Sequence, residues 1–150
     1  MQKVSFRLEK DHWSGSSGES VWAIRLSNCM YELQNLPLFI DNISYEDIFT
    51  VKKEDGILCF DKIFSRSGNS TYRLFRSDQI HQDIFAKYLN QLIKHGCGFI
   101  CFGLVYAINI PANTDIIEIR KLFKAGADAG IWEFEVAHCG HFTNPPKYTA

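Results

Sequence analysis

Proline, net charge and long hydrophobic runs are all scarce in this 150-residue sequence. The 16 Lys and Arg residues nearly balance the 17 Asp and Glu residues, so the formal net charge is −1. A field this weak does not favour nucleic acid or an anionic membrane as the partner. No apolar run approaches the ~20 residues of a membrane-spanning helix, and the chain starts in a strand pattern without signal-peptide features. We therefore expect a cytoplasmic protein with no membrane partner.

Paired cysteines and paired metal-ligand motifs are also missing. The cysteine count is odd and most cysteines lie within apolar runs, which favours reduced core thiols over a disulfide framework. The segment His138–His141 contains metal-ligand residue types, but no second pair follows at zinc-like spacing. We therefore expect no metal site and no cofactor. The cysteines are Cys29, Cys59, Cys97, Cys101 and Cys139.

No catalytic constellation can be assembled from the sequence. No serine, histidine and acid stand in an arrangement that would activate a nucleophile. The segment Gly96–Gly98 is not a phosphate-binding loop, because no lysine and helix start follow it. Cys97 and Cys101 both lie beside apolar residues, as unreactive core thiols would. The sequence thus favours a protein that is not an enzyme.

The first half of the chain has the pattern of short strands. Apolar and polar residues alternate from Val4 to Glu9, and similar runs follow at Val21–Leu26, Tyr31–Asn35 and Ile48–Lys52. A hairpin signal at Glu54–Gly56 leads into another strand. Short strands joined by tight turns predict a small curved sheet or a partial barrel.

The second half changes to helical spacing. After a strand at Tyr72–Phe75, with Ser77 or Asp78 as N-cap, a helix follows and ends at Gly96. The apolar run Phe99–Ile110 predicts a central strand, bent or folded into a hairpin at Gly103. A second helix then starts at Asn113–Asp115 and ends at Gly126 or Gly130, before a last strand at Trp132–Val136. This order is the ferredoxin-like βαββαβ pattern.

We therefore predict an α+β fold, with a curved β-sheet or partial barrel followed by a ferredoxin-like half. The β-rich part covers residues 1–70, the ferredoxin-like part covers 71–140, and a tail follows at 141–150. No clear linker separates the halves and neither has a complete core alone. We expect residues 1–150 to fold as a single cooperative unit.

The most informative stretch is Ser65–Arg73, which places hydroxyls, an amide and two arginines between two apolar runs. Such groups are costly to bury and unnecessary in a plain surface turn. One interpretation is a structural turn in which Arg73 pairs with Glu19 or another buried carboxylate. The other is an anion or ligand pocket, with Arg73 as bidentate donor and Ser70 and Thr71 as hydrogen-bond partners.

Several segments of the chain, in the same order, resemble an uncharacterised bacterial family, a domain of unknown function. That family shows E-x-x-W, N-I-P-F, G-D-V and S-G-H-S-T-x-R, followed by a strand ending in I-x-[IV]-P and a closing W-E-[FY]-E. Here Leu38 replaces phenylalanine, Glu46 stands where glycine is usual, and Asn69 replaces histidine. The matching segments are Glu19–Ala23, Tyr31–Pro37, Asp47–Phe49, Ser67–Arg73, Ile108–Pro111 and Trp132–Glu135.

The resemblance implies a function as well as a fold. Members of this size resemble the small cytosolic proteins encoded beside secreted bacterial toxins, the immunity proteins of contact-dependent growth inhibition. If the family histidine were catalytic, Asn69 would argue against chemistry here. We therefore expect an immunity protein that binds and neutralises a cognate toxin, most often a nuclease.

Two sets of residues are the candidates for function. We expect Trp22 to be a core residue rather than a stacking platform. The ligand or structural polar cluster comprises Glu19, Trp22, Asn35, Ser67, Gly68, Asn69, Ser70, Thr71 and Arg73. Acidic residues could face a basic toxin surface, and these toxin-contact candidates are Asp41, Glu46, Asp47, Glu54, Asp55, Glu133 and Glu135.

Two alternatives to toxin binding stay open. The first is an enzyme or small-molecule-binding domain that uses the Ser67–Arg73 loop. The second is RNA binding on an open ferredoxin-like sheet, which would need exposed aromatic residues with basic neighbours. Glu133 and Glu135 oppose this second alternative.

Overall fold

The computed structural model describes residues 1–141, and the proposed tail beyond His141 lies outside the described residues. Within this range the fold is mixed α+β, with nine strands in two sheets and two helices, which confirms the predicted class. The elements are β1 Gln2–Arg7, β2 Gly18–Arg25, β3 Met30–Leu33, β4 Ile48–Glu54, β5 Ile57–Ser65, β6 Ser70–Arg76, α1 Gln82–Lys94, β7 Gly98–Phe102, β8 Val105–Ile110, α2 Ile116–Asp128 and β9 Trp132–His138.

The first five strands form a closed barrel in the order β1-β2-β3-β4-β5. Neighbouring strands are antiparallel, and because their number is odd, β1 and β5 must close the barrel in parallel. That closure rests on one residue pair, Ser5 with Cys59. The predicted curved sheet thus closes into a complete barrel, and alternating residues such as Val4 and Phe6 fill the barrel interior.

Strand β2 begins earlier than the sequence predicts. The Gly/Ser-rich segment His12–Ser20 suggests a loop, yet Gly18, Glu19 and Ser20 pair with β1. A Cβ at Gly18 would lie 2.9 Å from the carbonyl oxygen of Phe6. Glycine therefore serves here to let two backbones approach closely, a use that composition alone does not distinguish from flexibility.

The second sheet has the strand order β7-β8-β6-β9, with antiparallel pairing throughout. The chain folds into a hairpin at Gly103, as predicted, with a φ of +61° at that glycine. Asp115 caps α2 by accepting a hydrogen bond from the Ile117 N–H at 2.9 Å, also as predicted. The first helix differs, because its N-cap is His81 and not Ser77 or Asp78.

Of the two predicted helix ends, Gly126 is wrong and Gly130 is confirmed, since α2 continues to Asp128 and Gly130 follows its C-cap Ala129 with a φ of +74°. Gly126 lies inside the helix against the ring of Trp132, where a Cβ would come within 2.3 Å of the indole. The indole N–H of Trp132 donates to the carbonyl oxygen of Phe123 at 2.9 Å. A small residue is thus required for helix–strand packing, not for ending the helix.

Strand β6 connects the two halves, because its two faces have different neighbours. Tyr72 and Leu74 belong to the apolar core beneath α1 and α2. Thr71 and Arg73 point to the opposite face, which the barrel's long loop at 34–47 covers. We call this second side the loop-covered face of the sheet. Buried polar residues therefore meet where the barrel and the sheet join.

Two expectations about individual side chains are corrected. Trp22 is 43% exposed on the outer wall of the barrel and is not a core residue. Cys29 and Cys101 are exposed, whereas Cys97 is buried and Cys59 and Cys139 are half-buried. Trp22 follows the buried Val21 in a strand whose alternate residues face solvent. The alternation of the strand, and not the hydrophobicity of the side chain, therefore places Trp22 on the outer face.

Candidate functional site

Hydrogen-bonded polar side chains cluster where the barrel meets the sheet. Most of these side chains are buried, and they include five residues of the predicted polar cluster together with residues that the sequence did not single out for this role. We call this set the polar junction, and it comprises Ser44, Asp47, Ser67, Asn69, Ser70, Thr71, Arg73 and His138.

The polar junction contains one fully buried carboxylate, Asp47. Its two oxygens accept hydrogen bonds from the backbone N–H groups of Ser44 and Ser67 at 2.9 and 2.8 Å. They also accept from the Ser67 hydroxyl at 3.1 Å and from Arg66 at 3.0 Å. A buried charge needs this number of donors. Asp47 is therefore structural, and its predicted role as a toxin contact is wrong because the side chain cannot be reached.

Next to Asp47, three side chains from distant parts of the chain share hydrogen bonds. The Ser44 hydroxyl bonds to the Thr71 hydroxyl and to Nδ1 of His138, each at 2.7 Å. Burial, and then the charge of Arg66, lower the pKa of His138, while Asp47 acts in the opposite direction. The neutral imidazole is therefore favoured in the folded protein.

The Ser67–Arg73 loop turns its side chains inward. Asn69 donates through its side-chain amide to the carbonyl oxygen of Tyr45 and accepts from the backbone N–H of Ala112, both at 2.8 Å. The Ser70 hydroxyl lies 2.6 Å from Nδ1 of His141 and accepts from the N–H of Gly140 at 2.8 Å. Gly68 has a φ of +93°, which glycine adopts readily.

Arg73 is fully buried on the loop-covered face of the sheet, and its guanidinium has four oxygen partners. It donates to the carbonyl oxygens of Leu38 and Ile40 at 2.9 and 3.2 Å. It also forms ion pairs with Asp41 at 3.0 Å and Glu135 at 2.7 Å, and both of these carboxylates are about half exposed. The side chain thus fixes the barrel's long loop to β6 and β9.

Glu19 holds the same loop from the other side and is not the partner of Arg73. Its carboxylate accepts hydrogen bonds from three successive backbone N–H groups, those of Leu38, Phe39 and Ile40, at 2.8, 2.9 and 3.1 Å. Glu19 and Arg73 therefore bind the donors and acceptors of one short segment. The expected structural pairing is corrected from a direct ion pair to a shared backbone segment.

The polar junction does not present a nucleophile. Ser44 and Ser70 each lie next to a histidine nitrogen, but both serines are fully buried and their hydroxyls are already hydrogen-bonded. Across residues 1–141, no group of three or more His, Cys, Asp or Glu side chains could hold a metal ion. None of the helices in this range is long and apolar enough to cross a membrane.

Two members of the predicted polar cluster lie elsewhere. The backbone N–H of Trp22 donates to the side-chain oxygen of Asn35, outside the polar junction. The Trp22 ring faces outward, with the Lys3 ammonium 5.2 Å from its centre. The family-like pattern therefore includes residues from the junction and from the outer wall of the barrel.

The remaining acidic candidates separate into two regions. Glu54, which pairs with Arg7 at 3.5 Å, lies with Asp55 at the tip of the β4–β5 hairpin. Asp41 and Glu135 lie beside Arg73, and Glu133 is exposed on the same face of β9, next to Phe75. Glu46 is exposed near neither group, in the bend before β4, with a φ of +68°.

Aromatic residues surround the second acidic group. Trp13 is 48% exposed, stacks over the Arg73 guanidinium at 5.4 Å, and contacts the rings of Phe39 and Phe75 at 5.5 and 5.3 Å. Phe39 in turn lies 6.4 Å from Phe102, which is 69% exposed. We call the following set the acidic aromatic surface: Trp13, Phe39, Asp41, Phe75, Phe102, Glu133 and Glu135.

Sequence reasoning missed the aromatic part of this surface. Trp13 stands in a Gly/Ser-rich loop, where a large aromatic residue has no local core to join, and this was a usable signal. Phe39 and Phe102 carried no comparable signal, because their neighbourhood depends on how the barrel loop crosses the sheet. Only the tertiary fold brings them together.

Two surface cavities adjoin the barrel. The first, of about 540 Å³, opens where β1 and β5 separate beyond their single pair, with an apolar floor that includes Phe6 and Phe60 and a charged rim that includes Lys52 and Arg66. The second, of about 480 Å³, lies beside Trp13 and Phe39, and its lining includes Asp41. The second cavity thus extends the acidic aromatic surface.

Comparisons with known proteins agree with this fold. The structure is similar to the crystal structure of a hypothetical protein from Neisseria gonorrhoeae, with a TM-score of 0.78 and 21% sequence identity, over 92% of this chain and 94% of that chain. No curated protein matches the chain. A family model described as a domain of unknown function, DUF4265, matches residues 19–134. The chain therefore belongs to the DUF4265 family of domains of unknown function.

Proposed function

We propose that this protein is an immunity protein, which binds a cognate bacterial toxin in the cytosol and neutralises it without catalysing a reaction. The observation that carries the proposal is the acidic aromatic surface, where exposed aromatic rings and carboxylates lie on one side of the molecule. The polar junction supports the same view, since its buried serines are committed to internal hydrogen bonds. The resemblance of family members of this size to the immunity proteins of contact-dependent growth inhibition adds to it.

The charge of this surface favours a basic partner. Glu133 is exposed, and Asp41 and Glu135 each remain about half exposed although they pair with Arg73. Charge complementarity accelerates association and excludes partners of like charge. Nucleases bind a polyanion and therefore present basic surfaces. A nuclease toxin domain is the partner class that best fits these carboxylates.

The aromatic residues would supply most of the binding energy. Tryptophan is enriched among the residues whose truncation costs 2 kcal/mol or more in known interfaces. Trp13 is held by Phe39, Phe75 and the Arg73 guanidinium, so its orientation is already fixed before a partner binds. A pre-organised anchor loses little conformational entropy on binding. We therefore assign Trp13 as the central contact.

The proposal predicts that a toxin domain is encoded upstream of this gene, and binding to that domain tests it. Co-expression of the two should rescue growth and yield a stoichiometric complex. Trp13→Ala should weaken the complex by about 30-fold or more, the equivalent of 2 kcal/mol. Trp22→Ala is the matched control, because Trp22 has nearly the same exposure on the outer wall of the barrel and should leave binding unchanged. Equal effects of the two variants would contradict the assignment of this surface.

The charge contribution needs a separate variant. Glu133→Lys should slow association and weaken binding more strongly at low than at high ionic strength. Asp55→Lys, at the tip of the β4–β5 hairpin, makes the same charge change at a distance from the surface. If Asp55→Lys weakens binding and Glu133→Lys does not, the hairpin tip is the contact region.

Two structural proposals accompany the function. We infer that residues 70–138 form a ferredoxin-like unit, which the strand order β7-β8-β6-β9 and the placement of α1 and α2 between strands support. We also infer that the barrel and this unit unfold together, since the polar junction links them. Limited proteolysis that releases two stable fragments with a cut near Gly68 would contradict the second inference.

A small-molecule-binding or enzymatic domain is the second candidate function. The observation in its favour is the 540 Å³ cavity, where Arg66 links the cavity rim to Asp47 and so to the Ser67–Arg73 loop. Under this alternative the purified protein turns over a small molecule and Ser70→Ala abolishes the turnover. If the upstream toxin is neither bound nor neutralised while this activity is found, the alternative replaces the immunity function.

A further inference from the structure

The two edges of the four-stranded sheet differ in their protection against further strand pairing. Strand β9 forms one edge and carries Glu133 and Glu135, and the backbone carbonyl of Ala137 already accepts a hydrogen bond from Asn42. Charged side chains and loop contacts are the usual means by which proteins block an edge. At the other edge, β7 has the sequence Gly-Phe-Ile-Cys-Phe and carries no charge.

The β7 edge is apolar and exposed. Phe99 is 40% exposed, and Phe102 is more exposed still, while Cys101 is also exposed. In residues 1–141 no strand pairs with β7 on the side away from β8. An uncharged, exposed edge strand is a template for pairing with another strand.

The hairpin determines which backbone groups this edge offers. Gly103 and Leu104 form a two-residue connection between β7 and β8, and Phe102 pairs with Val105. In such a hairpin the flanking pair exchanges both backbone hydrogen bonds, and the pattern then alternates along the strand. Phe99 and Cys101 therefore direct their N–H and C=O groups away from β8, towards the free edge.

We propose that two copies of this protein pair through β7 in an antiparallel arrangement about a two-fold axis at Ile100. Phe99 of each copy then exchanges backbone hydrogen bonds with Cys101 of the partner subunit, which satisfies all four outward-facing groups of each strand. A strand that is its own antiparallel partner meets the isologous symmetry of the commonest dimers. The pairing joins two four-stranded sheets into one sheet of eight strands.

Charge favours a second copy over a different partner. A two-fold axis places each residue of β7 opposite a residue of the same strand, so any charge there would face a like charge or lie close to one. The strand Gly98–Phe102 carries none. Ile100 would face Ile100 of the partner subunit in a non-hydrogen-bonded pair, where side chains approach most closely.

Sedimentation at increasing protein concentration tests the dimer directly. The full-length chain should show a reversible monomer–dimer equilibrium. Ile100→Lys places two like charges across the axis and should raise the dissociation constant by about tenfold or more. Ile117→Lys is the matched control, since Ile117 is an exposed isoleucine on α2, and it should leave the equilibrium unchanged.

Disulfide trapping gives a second test that does not depend on how well Ile100→Lys folds. In a non-hydrogen-bonded pair the Cα atoms lie about 4.5 Å apart, within the range that a disulfide spans. Ile100→Cys should therefore form a covalent dimer linked through position 100, identified by mass spectrometry, and Ile117→Cys should not. The proposal would be overturned if the protein were a monomer at all concentrations. It would also be overturned if a dimer formed that Ile100→Lys did not weaken and Ile100→Cys did not trap. In either case the β7 edge would bind a different protein or no strand at all.

Discussion

The barrel and the helix-backed sheet bury apolar surface by different means. The barrel encloses nine buried apolar residues within its own wall, whereas the sheet buries fourteen beneath α1 and α2. The larger share of apolar stabilisation therefore lies in the second half of the chain. Between the two cores, the contacts are the hydrogen bonds and ion pairs of the polar junction together with the aromatic pairs Trp13–Phe75 and Phe39–Phe102. Each half therefore contains its own apolar cluster, and polar and aromatic contacts set the relative position of the two clusters.

Removing one large ring from each core is the strongest test of that comparison. Phe49→Ala in the barrel and Phe123→Ala in the sheet should each cost about 3–5 kcal/mol, because both rings are fully buried. If the halves unfold together, each variant shifts one common transition in denaturant, followed by circular dichroism and by tryptophan fluorescence. Two transitions, of which each variant shifts only one, would show that the halves are independent.

Arg73→Ala tests the contact between the halves rather than either core. We expect a loss of about 3 kcal/mol in the free energy of unfolding, because the carbonyl oxygens of Leu38 and Ile40 lose their donor. The half-exposed Asp41 and Glu135 can regain water, which keeps the cost at the lower end of the range for buried pairs. Lys124→Ala breaks an exposed ion pair on α2 and serves as the control, with an expected cost of about 0.5 kcal/mol or less. A melting curve unchanged by Arg73→Ala would favour the ligand-pocket interpretation.

The pH dependence of stability should report on the same contact with a smaller effect. The folded protein lowers the pKa of His138, chiefly through burial. The unfolded chain then binds more protons below the ordinary histidine pKa of about 6.5, so stability is fully present above that pH and falls as the pH drops through the folded pKa. His138→Gln should flatten this dependence below about pH 6.5. An equally steep acid-side loss in the variant would assign the dependence to other groups.

Thiol reactivity gives the smallest effect and compares the interior of the sheet with its surface. Burial raises the pKa of Cys97 to about 11, so its thiolate is scarce and shielded at neutral pH. Cys101, four residues later on the exposed edge, should react with a thiol reagent in the native protein, as should Cys29. Peptide mapping after brief labelling measures the order of reactivity. If Cys97 is labelled as fast as Cys101, this would contradict the burial of Cys97, which directly precedes β7.

The secondary structure was largely predictable from local patterns. The alternation of apolar and polar residues over Val4–Glu9 and the helical spacing before Gly96 identified a strand and a helix. Each of these elements has one apolar face towards the core and one polar face towards solvent. Asp115 was predictable as an N-cap because capping is a local contact. His81 was not, since histidine is not among the usual capping residues, although its ring nitrogen accepts from Asp83 in the same way.

The candidate site was less predictable, because its contacts join distant residues. The polar character of Ser67–Arg73 correctly indicated groups that need partners, but it did not identify those partners. Asp47 looked like a surface acid next to Glu46, and its burial depends on donors at 44 and 66–67. Arg73 was expected to pair with Glu19 or another buried carboxylate; it pairs instead with the half-exposed Asp41 and Glu135, and both Glu19 and Arg73 bind the backbone of one loop. Long-range polar contacts of this kind produce no periodic pattern in the sequence from which they could be predicted.

The closure of the barrel at Ser5 and Cys59 has a consequence for its motion. A meander of five strands leaves its first and last members held by a single residue pair, whereas β1 and β2 share six. The amides of β1 that face this seam should therefore exchange their hydrogens with solvent sooner than those that face β2. Local opening of the barrel would therefore begin between β1 and β5, while the packing of Phe6 and Phe49 keeps the other strands together.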